Sequence, residues 1–238
     1  MEDIHCWQAK FESCGYSDRL IGKLTILNKI ANNQVDLREV KKAIYYARKY
    51  HGSQMRKSGE PYYSHPIEVA YMVADCLFRT DIIVTALLHD TIEDTELTKE
   101  NIACIFNNYI ADQVEDLTRI KFNRKITAGE NINLLFTEYK KDVLHVKLFD
   151  RLHNVQTISA MPPDKAKKII DETVIHFIPL ASYLGLYKVK KKLIKLCSKN
   201  LSPKQTACQC QQDQAGFCHC HSPFSPIVQS VINQVRNL

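Results

Sequence analysis

The sequence has 238 residues, of which 45% are hydrophobic and 24% charged, which is ordinary for a globular protein with a sizeable core. Its formal charge of +6 is unevenly placed: residues 1–172 hold 24 basic and 25 acidic residues, whereas residues 173–238 hold 8 basic residues and one acid. Because the larger part is nearly neutral, its charge does not indicate a nucleic-acid-binding protein, and we expect no such partner.

The N-terminal sequence is polar and has neither the basic nor the apolar region of a secretory signal. The longest apolar run, around Ile82–Leu88, is far shorter than the roughly 20 residues needed to cross a bilayer. A chain without an export signal keeps its thiols reduced, so its nine cysteines do not indicate a disulfide framework. We therefore expect a cytoplasmic protein without a membrane partner.

The chain has seven glycines and long segments without Gly or Pro, which favours helices over hairpins. Apolar spacing predicts a first helix from Leu37 to about His51, followed by a glycine-bearing loop. Pro66 opens a second helix, where its missing N–H costs nothing. A third helix begins near Asp81 and runs through the segment IIVTALLHDTIED, and Thr98 is the expected N-cap of a fourth.

Residues 119–130 are polar and basic, and we predict a mobile loop there. Helices are expected around Asn131–Lys140 and through Val143–Ile158. A long helix from about Asp164 should end at Gly185, a natural C-cap, before a last, lysine-rich helix. No convincing run of alternating strands is present, so the predicted fold class is all-α.

These features divide the chain into an N-terminal helical extension (1–36), one helical domain (37–200) and a Cys/His-rich tail (201–238). The tail segment CQCQQDQAGFCHCH is rich enough in ligands to bind zinc, but its spacing matches no structural zinc motif. Metal binding by the tail and a tail of uncertain order both remain open.

Residues with metal-binding chemistry are concentrated in three segments. In the third predicted helix, His89-Asp90 is followed by Glu93-Asp94, and helical geometry places these four side chains on one broad face. A histidine and three carboxylates next to an apolar turn are costly unless something such as a divalent cation satisfies them.

The other two segments contain His65, at the start of the Pro66 helix, and FDRLHN, in which Asp150 and Asn154 are four residues apart. Together, His65, His89-Asp90 and Asp150 form a set of mixed nitrogen and oxygen ligands. Such a set suits manganese, iron or other borderline metals better than a thiolate site does.

The order of these ligands resembles the HD superfamily. The segments HGSQMRKSGEPYYSHP, LLHDTIEDT and KLFDRLHNVQTI are similar to the hydrolase domain of RelA/SpoT homologues, including the small single-domain alarmone hydrolases, across residues 37–197. This resemblance implies an all-α HD-domain helical bundle that binds one Mn²⁺ ion. It also implies hydrolysis of (p)ppGpp at its 3′-pyrophosphate, which gives GDP or GTP plus pyrophosphate.

The resemblance also implies roles for individual residues. Glu93 and Asp94 would position and activate the attacking water, whereas Arg56 would stack on the guanine and Lys57 would neutralise phosphate. The metal ligands would be His65, His89, Asp90 and Asp150, and the substrate-binding residues would be Arg56, Lys57, Ser58, Asn154 and Thr157. Gln156 and Tyr183 depart from the family pattern, which has basic residues there.

Two alternatives stay open at this point. The chain could be an HD-type phosphohydrolase that acts on other nucleotides, or a nucleotide-binding regulatory module without turnover, although the intact Glu93-Asp94 pair argues against the module. In each case we expect a small nucleotide as the partner, and the sequence does not predict the oligomeric state. The residues after Asn200 are too few for a synthetase domain, so we expect no alarmone synthesis.

Overall fold

The computed structural model describes residues 6–121 and 124–200, without the side chain of Lys121. The Cys/His cluster predicted in the tail lies outside the described residues. The chain divides after Asn154 into two compact units. The proposed division at residues 36 and 200 therefore stays a prediction.

The first unit consists almost entirely of helices. These are α1 (Trp7–Lys10), α2 (Gly15–Asn28), α3 (Leu37–His51), α4 (Ser64–Val73), α5 (Thr80–Leu88), α6 (Thr91–Asp94), α7 (Lys99–Ile105), α8 (Asn108–Leu117), α9 (Ala128–Thr137) and α10, which begins in this unit (Lys141–Gln156). Two short antiparallel strands, β1 (Ile120–Lys121) and β2 (Arg124–Lys125), lie between α8 and α9.

Helix α5 is the centre of the first unit. Every residue from Ile82 to Leu88 is buried, and α5 packs against α3, α4 and α8. A helix that is apolar on all sides is stable only when other elements surround it. His89 and Asp90, which follow its last turn directly, therefore lie at the edge of the core.

The segment 119–130 differs from the predicted mobile loop. The ladder pairs Ile120 with Lys125, and α9 begins at Ala128, earlier than predicted. Thr127 Oγ1 accepts from the amide of Glu130 at 3.1 Å, and the Glu130 carboxylate accepts from the amide of Thr127 at 2.7 Å. This capping box fixes the start of α9 and explains why the loop prediction was wrong.

The second unit comprises a 3-10 turn (Ile158–Ala160), α11 (Pro163–Glu172), a π-helical turn (Thr173–Phe177), α12 (Ile178–Tyr183) and α13 (Tyr187–Asn200). The predicted long helix from about Asp164 to Gly185 is present, but its middle is a π-helical turn and not an α-helix. Pro179 has no amide hydrogen and its ring crowds the preceding turn, so the chain widens into a π turn before it. Gly185 ends α12 with φ of +73°, as predicted.

The predicted all-α fold class is confirmed for the described residues, in which the two-residue ladder is the sole regular sheet. Within those same residues, no helix combines the length and the apolar character needed to cross a membrane.

Candidate metal centre and its surroundings

Helix α5 is interrupted at the histidine–aspartate pair. Helix α5 ends at Leu88, and His89 and Asp90 form a turn before α6. The side chain of Thr91 donates to the Leu88 carbonyl at 2.7 Å, and Nδ1 of His89 lies 2.8 Å from the Ala86 carbonyl. These side chains compete for backbone carbonyls that a continuous helix would use. The prediction of one uninterrupted helix was therefore wrong.

Four predicted ligands converge from α4, from the α5–α6 turn and from α10. Nε2 of His65 lies 3.2 Å from Oδ1 of Asp150 and 3.5 Å from Oδ2 of Asp90. Nε2 of His89 lies 3.1 Å from Oδ1 of Asp90 and 3.8 Å from Oδ1 of Asp150. One ligand atom from each of His65, His89 and Asp150 lies within 4.8 Å of the others, and both imidazoles are buried.

The chemistry of this cluster fits a divalent metal ion. Nε2 of His89 is buried and has no hydrogen-bond partner among the described residues, while Nδ1 faces the Ala86 carbonyl. Burial lowers the pKa of His89, but the carboxylates of Asp90 and Asp150 outweigh it and raise the pKa to about 10. The cluster therefore favours a positive charge at this nitrogen. A divalent ion supplies that charge, and mixed imidazole and carboxylate donors suit one.

The adjacent carboxylates Glu93 and Asp94 face different partners. Oε2 of Glu93 accepts from the amide of Arg119 at 3.0 Å, and Oε1 lies 2.9 Å from Nζ of Lys125. Oδ2 of Asp94 accepts from the hydroxyl of Tyr62 at 2.8 Å. Both carboxylates line an open cleft of about 730 Å³. Both side chains are therefore open to solvent, but their hydrogen-bonding partners differ.

The pKa values of these two carboxyls move in opposite directions. Burial raises the pKa of Glu93, but the amide of Arg119 and the ammonium group of Lys125 outweigh it and lower the pKa. Partial burial and the negative charge of Asp90 raise the pKa of Asp94, against the hydrogen bond from Tyr62. Asp94 is therefore the better proton acceptor of the pair.

Two of the predicted substrate-binding residues are linked to the cluster. Nδ2 of Asn154 donates to Oδ1 of Asp150 at 2.6 Å, and Oδ1 of Asn154 accepts from Nη2 of Arg56 at 3.4 Å. The amide of Arg56 donates to the carbonyl of Glu60 at 2.8 Å, which closes the loop between α3 and α4. This chain of bonds connects the predicted guanine-stacking arginine to a predicted metal ligand.

The other three predicted substrate-binding residues lie elsewhere. Lys57 and Ser58 are exposed in the loop between α3 and α4, and Oγ of Ser58 donates to Glu60 at 3.3 Å. Thr157 belongs to the second unit and precedes its 3-10 turn. The structure therefore does not bring Lys57 and Ser58 into contact with the four clustered side chains.

Several residues that surround the cluster were not among the predicted site residues. Tyr62 contacts two carboxylates, Arg119 and Lys125 hold Glu93, and Nδ1 of His153 lies 2.8 Å from Nδ1 of His65. Tyr62 and His153 stand within the segments YYSHP and FDRLHN, so their proximity to the ligands was visible in the sequence. For Arg119 and Lys125, no sequence signal indicated a partner about 30 residues away.

The chain is similar in sequence to an HD-domain family and to several named proteins. A family model described as an HD domain matches residues 43–187. The protein named GTP pyrophosphokinase rsh from Brucella ovis is 38% identical over 186 residues, which are 75% of this chain and 25% of that protein. The protein named guanosine-3′,5′-bis(diphosphate) 3′-pyrophosphohydrolase from Aquifex aeolicus is 39% identical over 170 residues, covering 70% of this chain and 24% of that protein.

This chain spans about a quarter of the length of these two relatives. A solved structure titled "A metazoan ortholog of SpoT hydrolyzes ppGpp and plays a role in starvation responses" superimposes with a TM-score of 0.51 and 19% identity. That alignment covers 68% of this chain and 94% of the other, and it shows a shared fold. With the converging His65, His89, Asp90 and Asp150, the match to the family model establishes that the chain belongs to the HD-domain family.

Proposed function

We propose that this chain hydrolyses the alarmone (p)ppGpp at its 3′-pyrophosphate and releases GDP or GTP plus pyrophosphate. The observation that carries the proposal is the cluster of His65, His89, Asp90 and Asp150, in which both imidazoles are buried. Nε2 of His89 has no hydrogen-bond partner among the described residues. The similarity to proteins named for this hydrolysis supports the choice of substrate. The proposed enzyme is therefore a guanosine-3′,5′-bis(diphosphate) 3′-pyrophosphohydrolase.

In this reaction, the oxygen of a water molecule forms a bond to the phosphorus that is attached to the ribose 3′ oxygen. The bond between that phosphorus and the 3′ oxygen breaks, and the 3′ oxygen takes up a proton. A divalent ion held in the cluster would make water more acidic and would offset negative charge on a phosphoryl oxygen. We propose His65, His89, Asp90 and Asp150 as its ligands.

We propose that Asp94 accepts the proton of the water and that Glu93 orients it. Asp94 has a raised pKa and one carboxylate oxygen directed to Tyr62, which suits a general base. Glu93 is held by Arg119 and Lys125, and its lowered pKa keeps it as a carboxylate that accepts hydrogen bonds. Both residues line the open cleft, through which water reaches them.

We propose that Arg56 stacks its guanidinium plane on the guanine, which combines stacking with cation–π attraction. Its contact with Asn154 limits the orientations of the side chain before substrate arrives. Lys57 and Ser58, exposed on the same loop, contact the phosphate groups, and Asn154 faces the nucleotide. The role predicted for Thr157 stays a prediction. The loop is tied by the hydrogen bond from the amide of Gly59 to the Arg56 carbonyl at 3.0 Å.

Mn²⁺ is the metal that we propose, because two imidazoles and two carboxylates suit a metal of intermediate softness. Replacing it with Mg²⁺, Fe²⁺ or Zn²⁺ in a chelator-treated sample tests this choice directly. The highest turnover with Mn²⁺ is expected, whereas higher turnover with another ion would assign the centre to that ion. A cytoplasmic location stays a prediction.

The activity itself is tested with purified protein, Mn²⁺ and ppGpp or pppGpp, with products separated by anion exchange. The wild-type protein should release GDP or GTP plus pyrophosphate, and Asp150→Asn should remove this activity. Asp142→Asn is the matched control, because Asp142 lies on the same helix but pairs with Arg79 at 2.6 Å. Cleavage of other nucleotides in place of ppGpp would favour a broader phosphohydrolase, and binding without turnover would favour a regulatory module.

A further inference from the structure

The hydroxyl of Tyr62 lies between two carboxylates. It is 2.8 Å from Oδ2 of Asp94 and 3.1 Å from Oδ2 of Asp90. A phenol carries its proton at neutral pH and carboxylates only accept, so the hydroxyl is the donor in both contacts. One proton therefore connects the proposed metal ligand Asp90 to the proposed base Asp94.

The ring of Tyr62 is fixed from the side of helix α3. It stacks on the imidazole of His51, with the ring centroids 4.5 Å apart and the planes 28° apart. His51 is buried, and its Nδ1 lies 3.0 Å from Oε1 of Gln54. The amide of Tyr62 also donates to the carbonyl of Gln54 at 2.9 Å. Both the ring and the backbone of Tyr62 therefore have defined positions.

The same glutamine also holds the backbone of Asp94. Nε2 of Gln54 donates to the carbonyl of Asp94 at 3.1 Å. Asp94 is the last residue of α6, a helix of four residues, and a helix this short depends on outside contacts for its stability. Its last carbonyls have no partner inside the helix, so the bond from Gln54 satisfies one of them.

The contact with Tyr62 leaves one oxygen of the Asp94 carboxylate, Oδ1, for other partners. Tyr62 occupies Oδ2 of Asp94, whereas Oδ1 accepts no hydrogen bond from the part of the chain that the structure describes. Asp94 also lines the open cleft with Glu93. Fixing Oδ2 therefore fixes the direction in which Oδ1 meets solvent.

We propose that Tyr62 is a positioning residue, which acts with His51 and Gln54 to hold Asp94 so that its Oδ1 faces the reacting water. The proposal rests on the proposed function. It assigns to Tyr62 an effect on turnover through Asp94 and no contact with the nucleotide. His51 and Gln54 serve to fix the phenol ring and the end of α6.

The first test compares Tyr62→Phe with Tyr63→Phe in the full-length protein loaded with Mn²⁺. Tyr63 is the matched control, because it adjoins Tyr62 but its ring lies under the guanidinium of Arg48, at 5.0 Å. Tyr62→Phe should lower kcat about tenfold to hundredfold, the usual effect of losing a supporting hydrogen bond, and leave KM within about twofold. Tyr63→Phe should retain the wild-type kcat. Equal turnover of the two variants would overturn the proposal.

The second test asks whether Tyr62 acts through Asp94. In an Asp94→Asn background, adding Tyr62→Phe should change kcat by less than about twofold, because the acceptor of the hydrogen bond no longer works as a base. A full additional loss would show that Tyr62 acts independently. A loss of the Mn²⁺-induced rise in Tm in Tyr62→Phe would instead assign its effect to Asp90 and overturn the proposal.

Crystal structures of the wild-type and Tyr62→Phe proteins separate this proposal from the proposed function. The Asp94 carboxylate should have one orientation in the wild-type protein, and a changed orientation or several in the variant. An unchanged Asp94 would overturn the positioning role. If the wild-type protein failed to hydrolyse ppGpp, the proposed function would be wrong, whereas these structures would still decide whether Tyr62 positions Asp94.

Discussion

The Nδ1 atoms of His65 and His153 lie 2.8 Å apart. A hydrogen bond between two imidazole nitrogens requires one ring to donate and the other to accept. Burial, His65 and the guanidinium of Arg56 lower the pKa of His153 to about 3, so His153 stays neutral near pH 7. With a metal ion on Nε2 of His65, Nδ1 of His65 would carry the proton and would donate a hydrogen bond to Nδ1 of His153. His153 therefore selects the tautomer and the ring orientation of His65.

Replacing His153 should weaken metal binding. Loss of a supporting partner of a histidine ligand reduces metal affinity by about 10- to 100-fold, and we expect this loss for His153→Ala. Titration of the chelator-treated protein with Mn²⁺, followed by calorimetry, measures it. His145→Ala should leave the affinity unchanged, because Nδ1 of His145 lies 2.8 Å from the Lys141 carbonyl on the same helix. An affinity within about twofold of the wild type in His153→Ala would contradict the role of His153.

Metal should stabilise the folded state, because the ligands come together only when α4, α5 and α10 are packed. At a free Mn²⁺ concentration of about 100 times Kd, the gain is about 2.7 kcal/mol. Calorimetry should show that a chelator lowers Tm and that Mn²⁺ restores it in the wild type and in Asp142→Asn. Asp150→Asn should show no such rise. A normal rise in Asp150→Asn would remove Asp150 from the ligand set.

Arg56→Ala should raise KM for ppGpp more than it lowers kcat. Stacking on the base acts on the ground state and the transition state alike, so its loss weakens binding without slowing the chemical step. Steady-state kinetics with Mn²⁺ at saturation separates the two constants. Arg38→Ala, at the first turn of α3, is the arginine control and should resemble the wild type. A fall in kcat with unchanged KM would instead show that Arg56 acts on the transition state.

Glu130 should make stability depend on pH. The amide of Thr127 and the guanidinium of Arg124 lower the pKa of Glu130 to about 2, from 4.5 in its ordinary state. Because the folded state binds this proton less readily than the unfolded chain, its stabilising effect is present above pH 4.5 and is lost as the pH falls toward 2.

Glu130→Gln, which keeps the shape of the side chain, should therefore lower the free energy of unfolding at pH 7. The difference from the wild type should be small, because the group is exposed, and it should shrink at pH 3.5. Urea unfolding at both pH values measures this difference. A difference that grows as the pH falls would have the wrong sign and would exclude the proposed cause.

The convergence of His65, His89, Asp90 and Asp150 could be anticipated from the sequence because the segments that carry them are clearly defined. His89 and Asp90 are adjacent in the chain, His65 stands at the start of one helical segment and Asp150 stands within another, so that packing those helices brings all four together. The partners of Glu93 could not be predicted in this way. Arg119 and Lys125 reach it through a ladder of two-residue strands, which leaves almost no periodic pattern.

The apolar pattern of the sequence also did not predict where the helices are interrupted. Periodicity continues through His89-Asp90, but the side chain of Thr91 takes the carbonyl of Leu88 and ends α5 there. Periodicity likewise continues across residues 164–185, but Pro179 removes a helical hydrogen bond and the π turn results. In both cases one polar or cyclic side chain changes the hydrogen bonding of the backbone without changing the apolar pattern.

The most direct test of the central claim is the fate of the water oxygen. Wild-type protein with Mn²⁺ and ppGpp in ¹⁸O-labelled water should give GDP and pyrophosphate, with one label in the pyrophosphate and none in the GDP. Mass spectrometry of the separated products measures this distribution. Labelled GDP, or release of single phosphates in place of pyrophosphate, would contradict attack on the phosphorus of the 3′ ester.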